Sequence, residues 1–491
     1  MEPVKTIGII GAGVSGIITA KTCLEYGYEV KVFEKDAELG GVWATSRRYV
    51  GVRTQNTKDT YFFSDFPMPK HYPQWPNGEQ VQAYLKSFAE KFNVLSKIHF
   101  SSEVVKAEFD QNKWTLRINE NGSLLDEQVD FLIVCNGTFS DPYIPAIPGM
   151  DSFVDAGGEI LHSTGFKSPE LSRDKRMIVV GYSKSAHDVA TEGAKTAKSA
   201  RLVFREAKWK IPPFVKGLNM KYALLNRLGE ALIKPDDTRN SMERFVHKIG
   251  LAKKMLAFMQ NEIKRVQHLE ELGLVPNCGI PEQAFGEITL ETQGFFQMAH
   301  EGKIQVTQGE IKSLNGKTAT LSNGEQVECD LLVFATGFRQ TIPFFSEEYM
   351  NKLLDENGNY VLYHHILPAG IPSMAFVGYN TSIQSTISSE FGALWVCEYL
   401  KGRVHQPSDA EIIQEGTDFI KWRSRFRQNA STSGLSTMPG TIHHVDMLLR
   451  DMKAPLPFFS LIPDWLVTIN PGRYKQVRKK IIKANKLSGT V

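Results

Sequence analysis

Cysteine is scarce and scattered in this chain of 491 residues. Its five cysteines, Cys23, Cys135, Cys278, Cys329 and Cys397, include no C-x-x-C pair, which argues against a redox disulfide, a thiolate metal site and an extracellular disulfide framework. A reducing compartment, the cytoplasm, is expected. No run approaches the ~18 apolar residues of a membrane span, and because the first strand begins near Thr6 no leader peptide is expected. The net charge of +3 is small for this length and gives no case for a nucleic-acid partner. Hydrophobic content, 42%, is ordinary, so the length predicts two or three globular domains.

What is present starts with residues 6–16, TIGIIGAGVSG. Ile7, Ile9 and Ile10 make a buried strand that opens into Gly11-x-Gly13-x-Ser15-Gly16. Gly11 permits a tight turn, Gly13 lacks the Cβ that would obstruct a pyrophosphate, and Gly16 lets the following helix pack against the strand. Phosphate is favoured at such a helix N-terminus by free N–H groups and the helix dipole. A second strand ends at Glu34, 23 residues beyond Gly11, where a carboxylate accepts hydrogen bonds from a ribose. Beyond Lys35 comes the turn Gly40-Gly41-Val42-Trp43, whose glycines suit a backbone close to a ligand. Residues 54–76, dense in aromatics and prolines, read as a rigid loop.

The pattern then recurs, altered. Residues 177–180 are a second buried strand running into Gly181-Tyr182-Ser183-Lys184-Ser185-Ala186, and the next strand ends at Arg205, 24 residues beyond Gly181. An acid there would favour NAD, whereas Arg pairs with the 2′-phosphate of NADP. Ser183 replaces the second Gly, so its hydroxyl either presses on the pyrophosphate or donates a hydrogen bond to it. For each motif there is a plain structural alternative: a Gly-rich turn, a loop with a buried Trp, a solvated charge at a strand end.

Residues 206–285 change texture, with apolar residues at helical spacing over 220–232 and 242–274, as in packing or lid helices. Strands resume near Ile304, and a buried run after Asp330 closes on Ala335-Thr336-Gly337-Phe338. The tail carries Arg473, Lys475, Arg478, Lys479, Lys480, Lys483 and Lys486, a solvated basic helix or one lying on an anionic membrane surface.

The order GAGVSG, Glu34-Lys35, Gly40-Gly41-Val42-Trp43, Ser64-Asp65-Phe66-Pro67, Gly181-x-x-x-Ser185-Ala186 and Ala335-Thr336-Gly337-Phe338 resembles the class B flavin-containing monooxygenases over most of the chain. Their signature F-x-G-x-x-x-H-x-x-x-(F or Y) is met at Gly158, His162 and Phe166. Its leading Phe is Ala156 here, with Phe153 three residues earlier. Lys167 after Phe166 favours heteroatom oxygenation over the Baeyer–Villiger type, which carries Trp with Pro or Asp beyond it. Gln55, beside Asn56, stands where many members have Asn; with the G-x-x-K-S-A turn it looks closest to plant defence-type members.

The resemblance implies an α/β fold of two Rossmann-like dinucleotide domains: an FAD domain of residues 1–152 and 331–450, an inserted NADP domain of 153–330 carrying the helices of 206–285, and a basic tail of 451–491. It implies that NADPH and O2 oxygenate a small amine or sulfide through C4a-hydroperoxyflavin. FAD is expected at Gly11, Gly13, Ser15, Gly16, Glu34, Lys35, Gly41, Val42, Trp43, Gln55 and Asn56. NADPH is expected at Gly181, Ser183, Ser185, Ala186 and Arg205, with Thr336 and Gly337 closing the cofactor region. Gln55 and Asn56 are the expected catalytic pair, His162 is a domain-linker candidate, and pocket walls are expected from 206–285 and 381–389. Because the cofactors carry the chemistry, no Ser/His/Asp set, carboxylate pair or metal cluster is required. The alternatives are a ketone-oxidising Baeyer–Villiger enzyme and a flavin-bound protein that no longer takes NADPH.

Overall fold

The computed structural model describes residues 4–233, 241–283, 288–380, 382–424 and 441–488. Two five-stranded parallel sheets dominate it, built from the same succession of elements. In the first unit, β1 (Thr6–Ile10), α1 (Val14–Glu25), β2 (Glu29–Phe33) and β3 (Ile98–His99) lead through an antiparallel meander, Ser102–Asp110, Lys113–Glu120 and Ser123–Val129, to β4 (Phe131–Val134). The chain then leaves to build the second sheet. That unit comprises β5 (Glu159–His162), β6 (Arg176–Val180), α2 (Lys184–Gly193), β7 (Ser199–Phe204), α3 (Ser241–Lys248), α4 (Leu251–Val266), β8 (Thr289–Leu290), α5 (Phe295–His300), β9 (Ile304–Gln308) and, after a second meander over Ile311–Asn315, Thr318–Leu321 and Gln326–Glu328, β10 (Leu331–Phe334). On its return the chain adds β11 (Met374–Phe376) and the helices α6 (Ser385–Leu400), α7 (Thr441–Asp451) and α8 (Lys475–Ser488).

The first sheet has the order β11-β4-β1-β2-β3 and the second β9-β7-β6-β10-β5, every pair parallel. Helices cover both faces of such sheets, so strands in their interior read as near-continuous apolar runs. All four residues of both β4 and β10 are buried.

The fold corrects the expected return point. Residues 331–334 do not rejoin the first domain: β10 pairs with β6 and β5 of the second sheet. Ala335-Thr336-Gly337 is therefore the second unit's counterpart of Cys135-Asn136-Gly137. A run buried on both faces carries no mark of which sheet it enters; the meander that precedes it, like the one before β4, marks β10 as a closing strand in its own unit. The two crossings between the units pair with each other, Phe338 with Pro142 and Arg339 with Asp141.

The tail is corrected as well. Tyr474 and Ile481 join the core beside α6, and Arg478 is buried, so α8 docks on the first unit instead of standing apart. Lys479, Lys480 and Lys483 face outward. The helical run over 242–274 is broken at Gly250, which adopts φ +71° between α3 and α4. Thr381 and residues 234–240 and 284–285 of the expected pocket walls lie outside the described residues.

Candidate active site

Both glycine loops are built alike. Gly11 donates its N–H to Phe33 O at 2.8 Å, and Gly181 donates to Val203 O at 2.9 Å. Their φ values, +101° and +131°, belong to glycine. A Cβ on Gly11 would lie 2.6 Å from Cys135 O, and one on Gly181 2.5 Å from Ala335 O. A methyl on Gly16 would overlap the Gly11 carbonyl, so that glycine sets how closely α1 meets the strand. At the third position the units differ: Gly13 faces Gly41, whose Cα a Cβ there would meet at 3.5 Å, whereas Ser183 sits at φ −74°, unstrained, with its hydroxyl 3.1 Å from Ser185 Oγ. Neither residue caps its helix through a side chain, which leaves the first N–H groups of α1 and α2 available to an anion. Ala186 is buried beneath the second loop.

Glu34 is held by the loop it was expected to serve. Its carboxylate accepts from Ala12 N at 2.7 Å and Asp36 N at 3.0 Å, and burial pushes its pKa up against those bonds. Each oxygen keeps a lone pair for a ribose. Lys35 and Val42 are exposed, and Trp43 Nε1 donates to Tyr61 OH at 3.3 Å. Ser15 Oγ is 2.9 Å from Ser389 Oγ of α6, a partner no local motif announces. Asn56 is buried and its Nδ2 has no acceptor among the described residues; buried donors are nearly always satisfied. Together with the bare glycine surface at Gly13 and Gly41, that orphaned amide fits a bound flavin nucleotide.

Arg205 lies exposed at the end of β7, and among the described residues its guanidinium takes no ion pair. The two units meet at Gln55, whose Oε1 accepts from Leu290 N of β8 at 3.0 Å. Gln55 and Asn56 therefore split: one faces the second unit, the other is buried in the first. Thr336 Oγ1 donates to Tyr143 O, and Gly337 O accepts from His162 Nε2 at 3.0 Å. His162 Nδ1 accepts from Thr164 N, which fixes the neutral tautomer, and burial lowers its pKa. Phe153 packs its ring over Gly158.

Two connections escaped sequence reasoning. Lys167 Nζ donates to Thr45 O, Ser46 O and Arg48 O at 3.0, 2.8 and 2.8 Å, pinning the second unit to the turn after Trp43. Asp188 on α2 accepts from Tyr49 OH at 3.0 Å and Thr292 Oγ1 at 2.6 Å and pairs with Lys184. Such contacts join residues far apart in the chain, and the only signal available was the position of Lys167 after Phe166.

The sequence matches the FMO-like family, described as flavin-binding monooxygenase-like, over residues 4–454. The chain belongs to this family. This flavin monooxygenase is 27% identical to flavin-containing monooxygenase 1 of Canis lupus familiaris over 97% of its own length and 92% of the relative's. It is 27% identical to dimethylaniline monooxygenase [N-oxide-forming] 2 of Macaca mulatta, over 93% and 84%. Among solved structures, the S-allyl-L-cysteine S-oxygenase of Allium sativum superposes with a TM-score of 0.61 at 18% identity, covering 98% of this chain and 99% of that one. The flavin monooxygenase uses FAD and NADPH, and its two nucleotide domains have the Rossmann-like form. No helix among the described residues is long and apolar enough to cross a membrane.

Proposed function

We propose that this flavin monooxygenase transfers one atom of O2 to a soft nitrogen or sulfur of a small molecule at the expense of NADPH. The observation that carries the reading is the pair of equivalent glycine cradles in one chain, joined through Gln55 and Leu290. When bound, FAD and NADPH supply hydride transfer and oxygen activation; the chain supplies position and a dry site. Gly11, Gly13, Ser15, Gly16, Glu34, Lys35, Gly41, Val42, Trp43 and Asn56 hold FAD. Gly181, Ser183, Ser185, Ala186 and Arg205 hold NADPH, and Thr336 and Gly337 close that domain's loop. Gln55 spends its carbonyl on Leu290 and keeps its amide N–H groups to donate between the two cofactors.

The helical insertion clasps the loop over 54–76 through the Lys221–Asp59 ion pair and the Phe214–Trp75 edge contact at 5.7 Å, and in this reading the loop shields the site from water. A closed site strengthens every hydrogen bond within it. Heteroatom chemistry is supported by Lys167 and by relatives whose names specify N-oxide formation and S-oxygenation. The cytoplasm is the proposed compartment, in keeping with five free cysteines.

The test is product analysis after incubation with NADPH, O2 and, separately, a tertiary amine, a thioether amino acid and a cyclic ketone. An N-oxide or a sulfoxide is expected. A lactone from the ketone, with amine and thioether untouched, would transfer the enzyme to the Baeyer–Villiger class.

A further inference from the structure

The fold assembles a ligand set that the sequence leaves dispersed. His268 follows α4, Glu271 lies in the next turn, and His300 ends α5; their side chains converge on the surface of the second unit. Glu271 Oε2 is 3.4 Å from His268 Nδ1 and 3.3 Å from His300 Nδ1. The two imidazoles stack with centroids 4.3 Å apart at 23°, so both nitrogens reach the same carboxylate oxygen. All three ligand atoms lie within 4.8 Å of one another. A tetrahedral ion bound through Zn–N and Zn–O bonds of ~2.0–2.2 Å separates its ligand atoms by about 3.3–3.5 Å. Two of the three spacings already fall in or beside that range.

The backbone beneath is fixed although the side chains are exposed. Leu269 and Leu274 are buried, Leu269 N donates to Lys264 O at 3.0 Å and Leu274 N to Leu269 O at 2.8 Å. On the other side Ala299 is buried and its carbonyl accepts from Gly302 N at 3.0 Å. His268 is held at φ +53°, a conformation that costs a non-glycine residue free energy. Neighbouring cations have partners of their own: Arg265 with Glu262, Lys264 with Glu270 and Lys303 with Glu301.

We propose that His268, Glu271 and His300 form a divalent transition-metal site of the Zn2+ type that ties the end of α4 to the end of α5. Two imidazole nitrogens and one carboxylate select zinc and its neighbours over calcium or magnesium, and a fourth position remains for water. Because α5 leads into the N-terminal end of β9, the site lies at the sheet edge opposite the Gly181 loop. It is a structural tie outside the cofactor cleft.

The test is calorimetric titration of the chelator-treated, FAD-loaded full chain with Zn2+ alone at neutral pH, with thermal melting alongside. One saturable site and a raised Tm are expected for the wild type. His300→Ala and His268→Ala, both surface changes, are expected to weaken binding at least tenfold and to lose the Tm increase. His405→Ala, which alters an exposed His–Glu pair elsewhere, is expected to keep both. Absence of saturable uptake by the wild type, or full uptake by His300→Ala, would overturn the proposal.

Discussion

Single residues carry the sharpest consequences where burial leaves a polar group no alternative. Asn56 Nδ2 is one: it has no acceptor among the described residues, and under the proposed function the flavin supplies one. Asn56→Ala is expected to purify with a reduced ratio of FAD to protein, losing about 1–3 kcal/mol of flavin binding, and the ratio of visible to ultraviolet absorbance measures it. His444 is another. Burial holds its pKa at about 4, against an ordinary 6.5, while its ring bonds Asn380 and the His364 carbonyl. Between those values the unfolded chain binds the proton and the folded one does not, so stability falls as the pH drops from 6.5 towards 4. The loss is up to about 1.4 kcal/mol per pH unit. His364 contributes the opposite slope: burial lowers its pKa, but Asp451 and Glu415 raise it further, and its stabilisation is lost as pH rises above 6.5 through the folded value. His444→Gln is expected to show a smaller fall in Tm between pH 6.5 and 5 than the wild type.

At the scale of elements, α8 is the clearest case of a segment whose role is set by what it meets. Its Arg478 is an ion-pair partner of Glu390 on α6 at 3.0 Å and of Glu25 on α1. Glu390 in turn accepts from Ser64 N at 2.8 Å and Ser64 Oγ at 2.6 Å, which fixes the loop that also carries Gln55 and Asn56. Burial raises the pKa of Glu390, and Arg478 opposes the shift. Arg478→Met is expected to strand that carboxylate and cost about 3–5 kcal/mol, seen as a lowered Tm; an unchanged Tm would mean that the basic helix is only an appendage. The sequence shows seven basic residues and their helical spacing but not which one points inward, because Arg478 looks like its neighbours until Glu390 and Glu25 are brought beside it.

For the whole molecule, what was legible was local. Both glycine loops, Glu34 and Arg205 are read from short spacings, and the structure builds both loops with the same hydrogen bonds. What was not legible depended on distant pairing: β10 in the second sheet, Lys167 on the turn at Thr45 to Arg48, Ser15 against Ser389, and the convergence of His268 with His300. The repetition of strand, helix, strand, meander and closing strand also explains how one chain holds two nucleotides, each loop facing the C-terminal edge of its own parallel sheet. The most direct measurement is anaerobic mixing of the purified yellow protein with NADPH or NADH, following the visible flavin band. Rapid bleaching by NADPH is expected, with Arg205→Ala raising the KM for NADPH by about 10- to 100-fold, equivalent to ~1.5–3 kcal/mol, and leaving that for NADH nearly unchanged. A band untouched by NADPH would contradict the account, leaving a flavin protein whose second cradle, altered at Ser183, no longer receives a reductant.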